Sequence, residues 1–243
     1  MELYPGQKIC KARSGLCVLY SGAIGSYELG MTVAHAFDMG ADIEIQFESD
    51  MVGVQERIVG KCLATFDKLR RQDNTELTAD LALLALDTNR CSVGNTVWFT
   101  CRSENTAFQL KIYKQDEIPD YTSVIILDQN GDFQTGIIHP KYRRFNDDNL
   151  DDYDDGLHDV IGICASEEQE AAVTQSGDSG ALVMSFPNKE NDFVYVYGIA
   201  IGICRKPTGE SFTIANSLWK VLQEISTRKN HFRVDGMQNV DFA

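Results

Sequence analysis

The sequence predicts an all-β protein with a single C-terminal α-helix. Short β-branched and aromatic runs, separated by polar turns, recur through most of the 243 residues. Convincing helical periodicity occurs once, near the end of the chain. The length allows one or two domains, and it also fits one large all-β unit of two packed barrels, a class reaching roughly 200–250 residues.

Taken in order, Cys17-Val18-Leu19-Tyr20 is an early strand run. Ile43 to Phe47 alternates apolar and polar residues, as a half-buried strand does. Arg57-Ile58-Val59-Gly60 reads as a strand, and the polar stretch Gln72 to Thr78 as a loop. Thr96 to Thr100 is strand-like. Val124 to Leu127 and Phe133 to Ile138 form a hairpin, with Asn130-Gly131 supplying the positive-φ residues of a tight turn. Ile161 to Cys164, Val194 to Tyr197 and Ile201 to Cys204 are further strands. Leu218, Trp219, Leu222 and Ile225 make the helical stripe, with Asn216 or Ser217 as cap. A tail follows from about Thr227.

Composition narrows the function. Hydrophobic residues make up 43% of the chain, which is ordinary for a packed domain and argues against general disorder. The 22 basic and 36 acidic residues give a net charge of −14, so no nucleic-acid partner is expected, because gripping phosphates needs a basic surface. No apolar run of about 18 residues occurs, so no membrane span is expected. Met1 to Pro5 lacks the charged start and apolar run of a secretory signal. The seven cysteines, Cys10, Cys17, Cys62, Cys91, Cys101, Cys164 and Cys204, are odd in number and contain no C-x-x-C pair. They read as buried free thiols, which places the protein in a reducing, intracellular compartment.

Phe145 to Asp159 holds seven aspartates, with Lys141, Arg143 and Arg144 just before it. Like charges this dense repel, so 145–159 is expected to be an exposed loop. A calcium site is the sharper alternative, but the EF-hand spacing fails: the required Gly and the bidentate Glu are missing. No metal is assigned. A docking surface for a basic partner is the third option.

Three short motifs carry the chemistry: Thr32-Val33-Ala34-His35-Ala36, Asp80-Leu81-Ala82-Leu83-Leu84 and Ser176-Gly177-Asp178-Ser179-Gly180. A serine hydroxyl is a weak nucleophile and needs an adjacent base. The order His, Asp, Ser, with spacings of 45 and 99 residues, resembles the trypsin/chymotrypsin family of serine proteases from about Cys17 to the final helix. The resemblance implies two packed six-stranded antiparallel β-barrels with a C-terminal α-helix. Residues 1–96 would form the first barrel, carrying His35 and Asp80. Residues 97–243 would supply the second, carrying Ser179, with the helix and tail. It implies that His35 takes the proton of Ser179, that Asp80 orients the imidazole, and that the backbone N–H groups of Gly177 and Ser179 form an oxyanion hole. No cofactor is needed.

Departures from the family pattern point the same way as the thiols. Exported relatives usually place Cys directly after the catalytic His and often four residues before the nucleophile; here those positions hold Ala36 and Gln175. The I-V-G-G sequence whose cleavage frees an amine for Asp178 is absent before His35. The chain therefore resembles intracellular or viral members, with a site preformed or switched by another device. Where family trypsins place an Asp for Lys and Arg side chains, this chain has Val173. An apolar floor leaves a buried cation unmatched, so apolar or small side chains are expected. Thr174, Ser211, Thr213 and Gly202 are candidate neighbours in that pocket. Ala200-Ile201-Gly202 is expected to bind substrate backbone by strand addition. Ala200 also lacks the hydroxyl with which many relatives support the Asp.

The expected function is a serine endopeptidase acting on peptide or protein substrates. The alternatives are a silent or latent interaction module of the same fold, and a domain that mainly processes its own parent chain.

Overall fold

The computed structural model describes residues 2–3, 7–9, 14–24, 27–49, 53–87, 89–90, 92–93, 96–101, 104–128, 132–140, 157–165, 171–188 and 190–227. The first strands are β1 (Glu2–Leu3), β2 (Gln7–Ile9), β3 (Ser14–Ile24), β4 (Tyr27–Thr32), β5 (Asp42–Ser49), β6 (Gly53–Arg70), β7 (Glu76–Asp87) and β8 (Ser92–Val93). They are followed by β9 (Thr96–Cys101), β10 (Glu104–Ile112), β11 (Ser123–Leu127), β12 (Phe133–Ile138), β13 (Val160–Ala165), β14 (Leu182–Ser185), β15 (Phe193–Arg205), β16 (Ser211–Asn216) and helix α1 (Leu218–Thr227). The all-β class and the C-terminal helix are as the sequence predicts.

One antiparallel sheet has the order β2-β3-β4-β7-β6-β5. Its end strands β2 and β5 lie close together, and no ladder joins them among the described residues. In the second sheet β14-β11-β12-β13-β16-β15 closes on itself through a β14–β15 pairing, giving a six-stranded antiparallel ring. The hairpin β9–β10 extends this sheet by pairing in parallel with β15, a junction that the all-antiparallel expectation did not contain. The length of β15 makes it possible. Phe193 to Val196 pair with β10, Val196 to Ile199 with β14, and Ala200 to Arg205 with β16.

Strand periodicity explains why the runs are so apolar. Val124 and Ile126 of β11 and Val183 of β14 face one core, inside the ring. Ile125, Leu182 and Met184 face the other, shared with Leu77, Ala79, Leu81 and Leu83 of β7. Both faces are buried, so the strands read as continuous hydrophobic stretches rather than alternating ones. The shared core also takes Leu218, Val221, Leu222 and Ile225 of α1. Val221 replaces Trp219 in the expected stripe, and Trp219 is only half-buried.

Several local expectations are refined. The loop at 72–78 shrinks to a tight turn: Asp73 Oδ1 accepts the Thr75 N–H at 2.9 Å, and β7 already starts at Glu76. Thr78 is drawn into the strand because its N–H donates to the His158 carbonyl at 3.0 Å and its hydroxyl accepts the His158 N–H at 2.9 Å. The hairpin β11–β12 is present, closed by the Asp128 N–H donating to the Asp132 carbonyl at 2.9 Å. Its Asn130-Gly131 turn lies outside the described residues, as do 145–156 of the acidic segment and the tail beyond Thr227. Asp159, at the end of that segment, pairs with Arg71 and with Lys220 at 2.8 Å. Cys62, Cys164 and Cys204 are buried free thiols. Of the other cysteines, Cys10 and Cys91 lie outside the described residues, and nothing is described of the Cys17 and Cys101 side chains.

Candidate active site

The first half of the site is built where β4 ends. After Thr32 the chain leaves the ladder and makes one 3-10 turn, Ala34–Ala36, which carries His35. The facing strand β7 is interrupted at the same level. Phe66 pairs with Leu81 and Lys68 with Thr78, so Asp67 alone on β6 opposes both Ala79 and Asp80. This is a β-bulge, a device that re-aims a side chain. Asp80 takes up the irregularity with φ of +38°, in the left-handed region that few non-glycine residues enter. Its carboxylate then meets His35 twice. Oδ2 lies 2.7 Å from Nδ1, and Oδ1 accepts the His35 backbone N–H at 2.9 Å.

The electrostatics follow from this contact. The Asp80 side chain is 16% exposed and that of His35 47%. The hydrogen bond to Asp80 raises the imidazole pKa above its ordinary 6.5; partial burial opposes the rise, and the charges of Asp80 and Asp67 add to it. Nδ1 is held as a donor, which leaves Nε2 available as the base.

The second half is the turn from Gln175 to Ala181, leading into β14. Gly177 and Gly180 have φ of +105° and +94°, values that only glycine adopts without strain. The buried Asp178 folds the turn on itself: its carboxylate accepts the Gln175 N–H at 2.8 Å and its carbonyl the Ala181 N–H at 2.9 Å. Asp178 thus caps its own loop. Ala200 of β15 clamps the far side, accepting the Gly180 N–H and donating to the Ala181 carbonyl, both at 2.8 Å. Among the described residues the N–H groups of Gly177 and Ser179 have no protein acceptor, while those of Gln175, Asp178, Gly180 and Ala181 do. Two unclaimed donors two residues apart in a rigid turn can receive a developing oxyanion. Ser179 is half-buried, and among the described residues no hydrogen bond joins it to His35.

The residues expected to shape the pocket sit on the approach to this turn. Thr213 of β16 accepts the N–H groups of Val173 and Thr174 at 3.0 and 2.9 Å, and its hydroxyl lies 2.8 Å from that of Thr174. Ser211 accepts the Ala172 N–H at 3.1 Å. Ser211 and Thr213 therefore anchor the segment 172–174. Val173 packs on the ring core. On β15, Ala200 pairs with Ala215 and Gly202 with Ile214, so Ile201 is a bulged extra residue, and a Cβ at Gly202 would meet nothing within 4 Å. That stretch of β15 borders open space.

One buried side chain bridges the two halves, and the sequence reading missed it. Asn216 does not cap α1, whose first turn closes on the Ser217 carbonyl. It is fully buried, donates from Nδ2 to the Ala79 carbonyl at 2.7 Å, and accepts the Ile199 N–H on Oδ1 at 3.0 Å. Among the described residues no group of three or more His, Cys, Asp and Glu side chains could hold a metal ion.

This architecture recurs in solved structures. A protease from Nocardiopsis superposes with a TM-score of 0.53 at 13% identity, covering 92% of this chain and 96% of its own. Protease A of Thermobifida fusca gives 0.53 at 14%, covering 93% and 96%, and the chymotrypsin of Cellulomonas bogoriensis gives 0.53 at 12%, covering 93% and 96%. The fold is that of the chymotrypsin-like serine proteases. No protein-family model matches the chain, and no curated protein sequence is similar to it. Identities this low carry the fold and nothing finer.

Proposed function

We propose that this chain is a serine endopeptidase in which Ser179 is the nucleophile, His35 the general base and Asp80 the residue that orients and charges the base. The His35–Asp80 pair carries the reading, joined at 2.7 and 2.9 Å through an irregularity of β7 that serves no ladder pairing. The unclaimed N–H groups of Gly177 and Ser179 support it, because they are what the tetrahedral intermediate needs. Ser179 attacks the scissile carbonyl and its proton passes to Nε2 of His35. The imidazolium then protonates the leaving amine, and water deacylates the enzyme by the same base. Substrate backbone lies along Ala200-Ile201-Gly202, and Val173 and Thr174 face the side chain before the cut bond. Apolar or small side chains are favoured over Lys and Arg. Residues 1–96 and 97–243 are the two units between which the substrate binds, and the compartment is intracellular.

The missing Ser179–His35 hydrogen bond favours a second reading, in which the same site is latent and binds without cutting. A fluorophosphonate probe separates the two. One adduct on the wild type and none on Ser179→Ala, read by intact mass, supports the enzyme. No adduct on either supports the latent module.

A further inference from the structure

Asp80 holds a backbone conformation that a non-glycine residue adopts only when its surroundings over-determine it. The side-chain end is fixed by His35. The other end is the peptide joining Ala79 to Asp80, whose orientation sets φ of Asp80 directly. That peptide presents its carbonyl to Asn216 Nδ2 at 2.7 Å. Asn216 belongs to the other sheet, at the end of β16, and its amide oxygen takes the N–H of Ile199. Ile199 immediately precedes Ala200, which clamps Gly180 and Ala181 around Ser179. β15 comes this close because residue 198 is glycine; a Cβ there would lie 2.0 Å from the Asn216 carbonyl.

We infer that Asn216 is a positioning residue of the proposed triad, holding the strained Ala79–Asp80 peptide on one side and the β15 clamp of the Ser179 loop on the other. The inference rests on the endopeptidase reading for its consequence in rate, but its Asp80 side is read at His35 whether or not the site cuts peptides. With Ala200 in place of a hydroxyl residue, support for Asp80 comes through the peptide behind the carboxylate. Without the amide, the Ala79 carbonyl loses its donor, Asp80 relaxes toward ordinary strand φ, and Oδ2 withdraws from Nδ1. An apolar core residue could not do this: bridging a carbonyl and an N–H takes a side chain that both donates and accepts, as the Asn216 amide does.

The test is an NMR titration of the His35 ring in wild type, Asn216→Ala and Asn216→Leu, the last preserving most of the volume. Ile126→Ala, which empties part of the ring core away from α1 and β7, controls for general loss of stability. The expected result is a His35 midpoint that moves down toward 6.5 in both Asn216 variants and stays in place in Ile126→Ala. In the same variants kcat/KM falls about 10²-fold, mostly in kcat, as for a misplaced catalytic group. Folded Asn216 variants with the wild-type midpoint overturn the inference. If neither variant folds, the wild type decides: the Asn216 side-chain amide resonances shift with the His35 midpoint if the two are coupled, and static resonances overturn the inference. A wild type that hydrolyses nothing and takes no probe defeats the endopeptidase reading and leaves the His35 titration to judge Asn216 independently.

Discussion

Asp80→Asn is the most informative single change. The substitution keeps the shape of the side chain and replaces one oxygen by an amino group. Both carboxylate oxygens are in use, one on the His35 backbone N–H at 2.9 Å and one on Nδ1 at 2.7 Å. An amide has one acceptor. If it serves the backbone N–H, the amino group faces Nδ1, which must give up its proton and accept. The ring proton then moves to Nε2, the atom that should receive the proton of Ser179, and the base is lost. The expected fall in kcat is about 10⁴-fold, near 5.5 kcal/mol of transition-state stabilisation.

The same variant has a pH signature. The Asp80 hydrogen bond is the leading cause of the raised His35 pKa, so the folded protein binds this proton more tightly than the unfolded chain. A group raised in the folded state stabilises fully below its unfolded value, here 6.5, and that contribution is lost as pH rises through the folded value. Wild type should therefore exceed Asp80→Asn in Tm most clearly below 6.5, with the gap narrowing above the folded midpoint. Wild-type activity should rise with pH through an inflection above 6.5, since the base must be neutral. Peptide hydrolysis, a Tm series across pH and a His35 NMR titration check these together. An Asp80→Asn variant with wild-type kcat and an unmoved His35 midpoint would refute the reasoning.

Two further changes probe the supports around the site. Thr213→Val strips the acceptor from the Val173 and Thr174 N–H groups, and each buried donor left unsatisfied costs about 1–3 kcal/mol, so Tm should drop and amide exchange of 172–174 should speed up. Asp159→Asn discards pairs to Arg71 and Lys220 that tie the start of β13 to the β6–β7 turn and to α1. Burial pushes the Asp159 pKa up, but the two cations outweigh it and the net shift is downward. Its stabilisation is present at neutral pH and lost as pH falls through the folded value, so wild type and variant should differ in Tm at pH 7 and converge in acid. A constant difference across that range would remove Asp159 from the account.

The fold and the site were legible in the sequence to different depths. Strand-forming runs, the late helix and the three motifs are carried by residue identity, and the structure supplies the elements on which they sit. What the sequence hid depends on register. Nothing in Leu77 to Leu81 announces that one residue of β6 must face two of β7, because a bulge is a property of the pair. The parallel seam between β10 and β15 arises from the length of β15 and not from any turn signal. Asn216 was hidden for another reason. An asparagine before a helical stripe has a ready local role as a cap, and a partner 137 residues away leaves no mark on local pattern.

The bulge at Asp80 and the bridge at Asn216 belong to one physical problem. The proposed base and nucleophile are carried on different sheets and must hold a fixed geometry, yet each sheet's ladder satisfies only itself. Hydrophobic contact across the seam is ample, with Leu77, Ala79 and Leu81 of β7 meeting Val196 and Ile199 of β15 in a common core. Such contact is non-directional and tolerates sliding. An amide hydrogen-bonded to both backbones does not. Asn216 is also followed immediately by α1, whose Leu218, Val221, Leu222 and Ile225 enter the same core. Each such side chain contributes roughly 1.5–3 kcal/mol on burial, so the docked helix secures the position of the residue that leads into it. The C-terminal helix thereby helps to fix the distance between the two halves of the site, although none of its own side chains is assigned a chemical role.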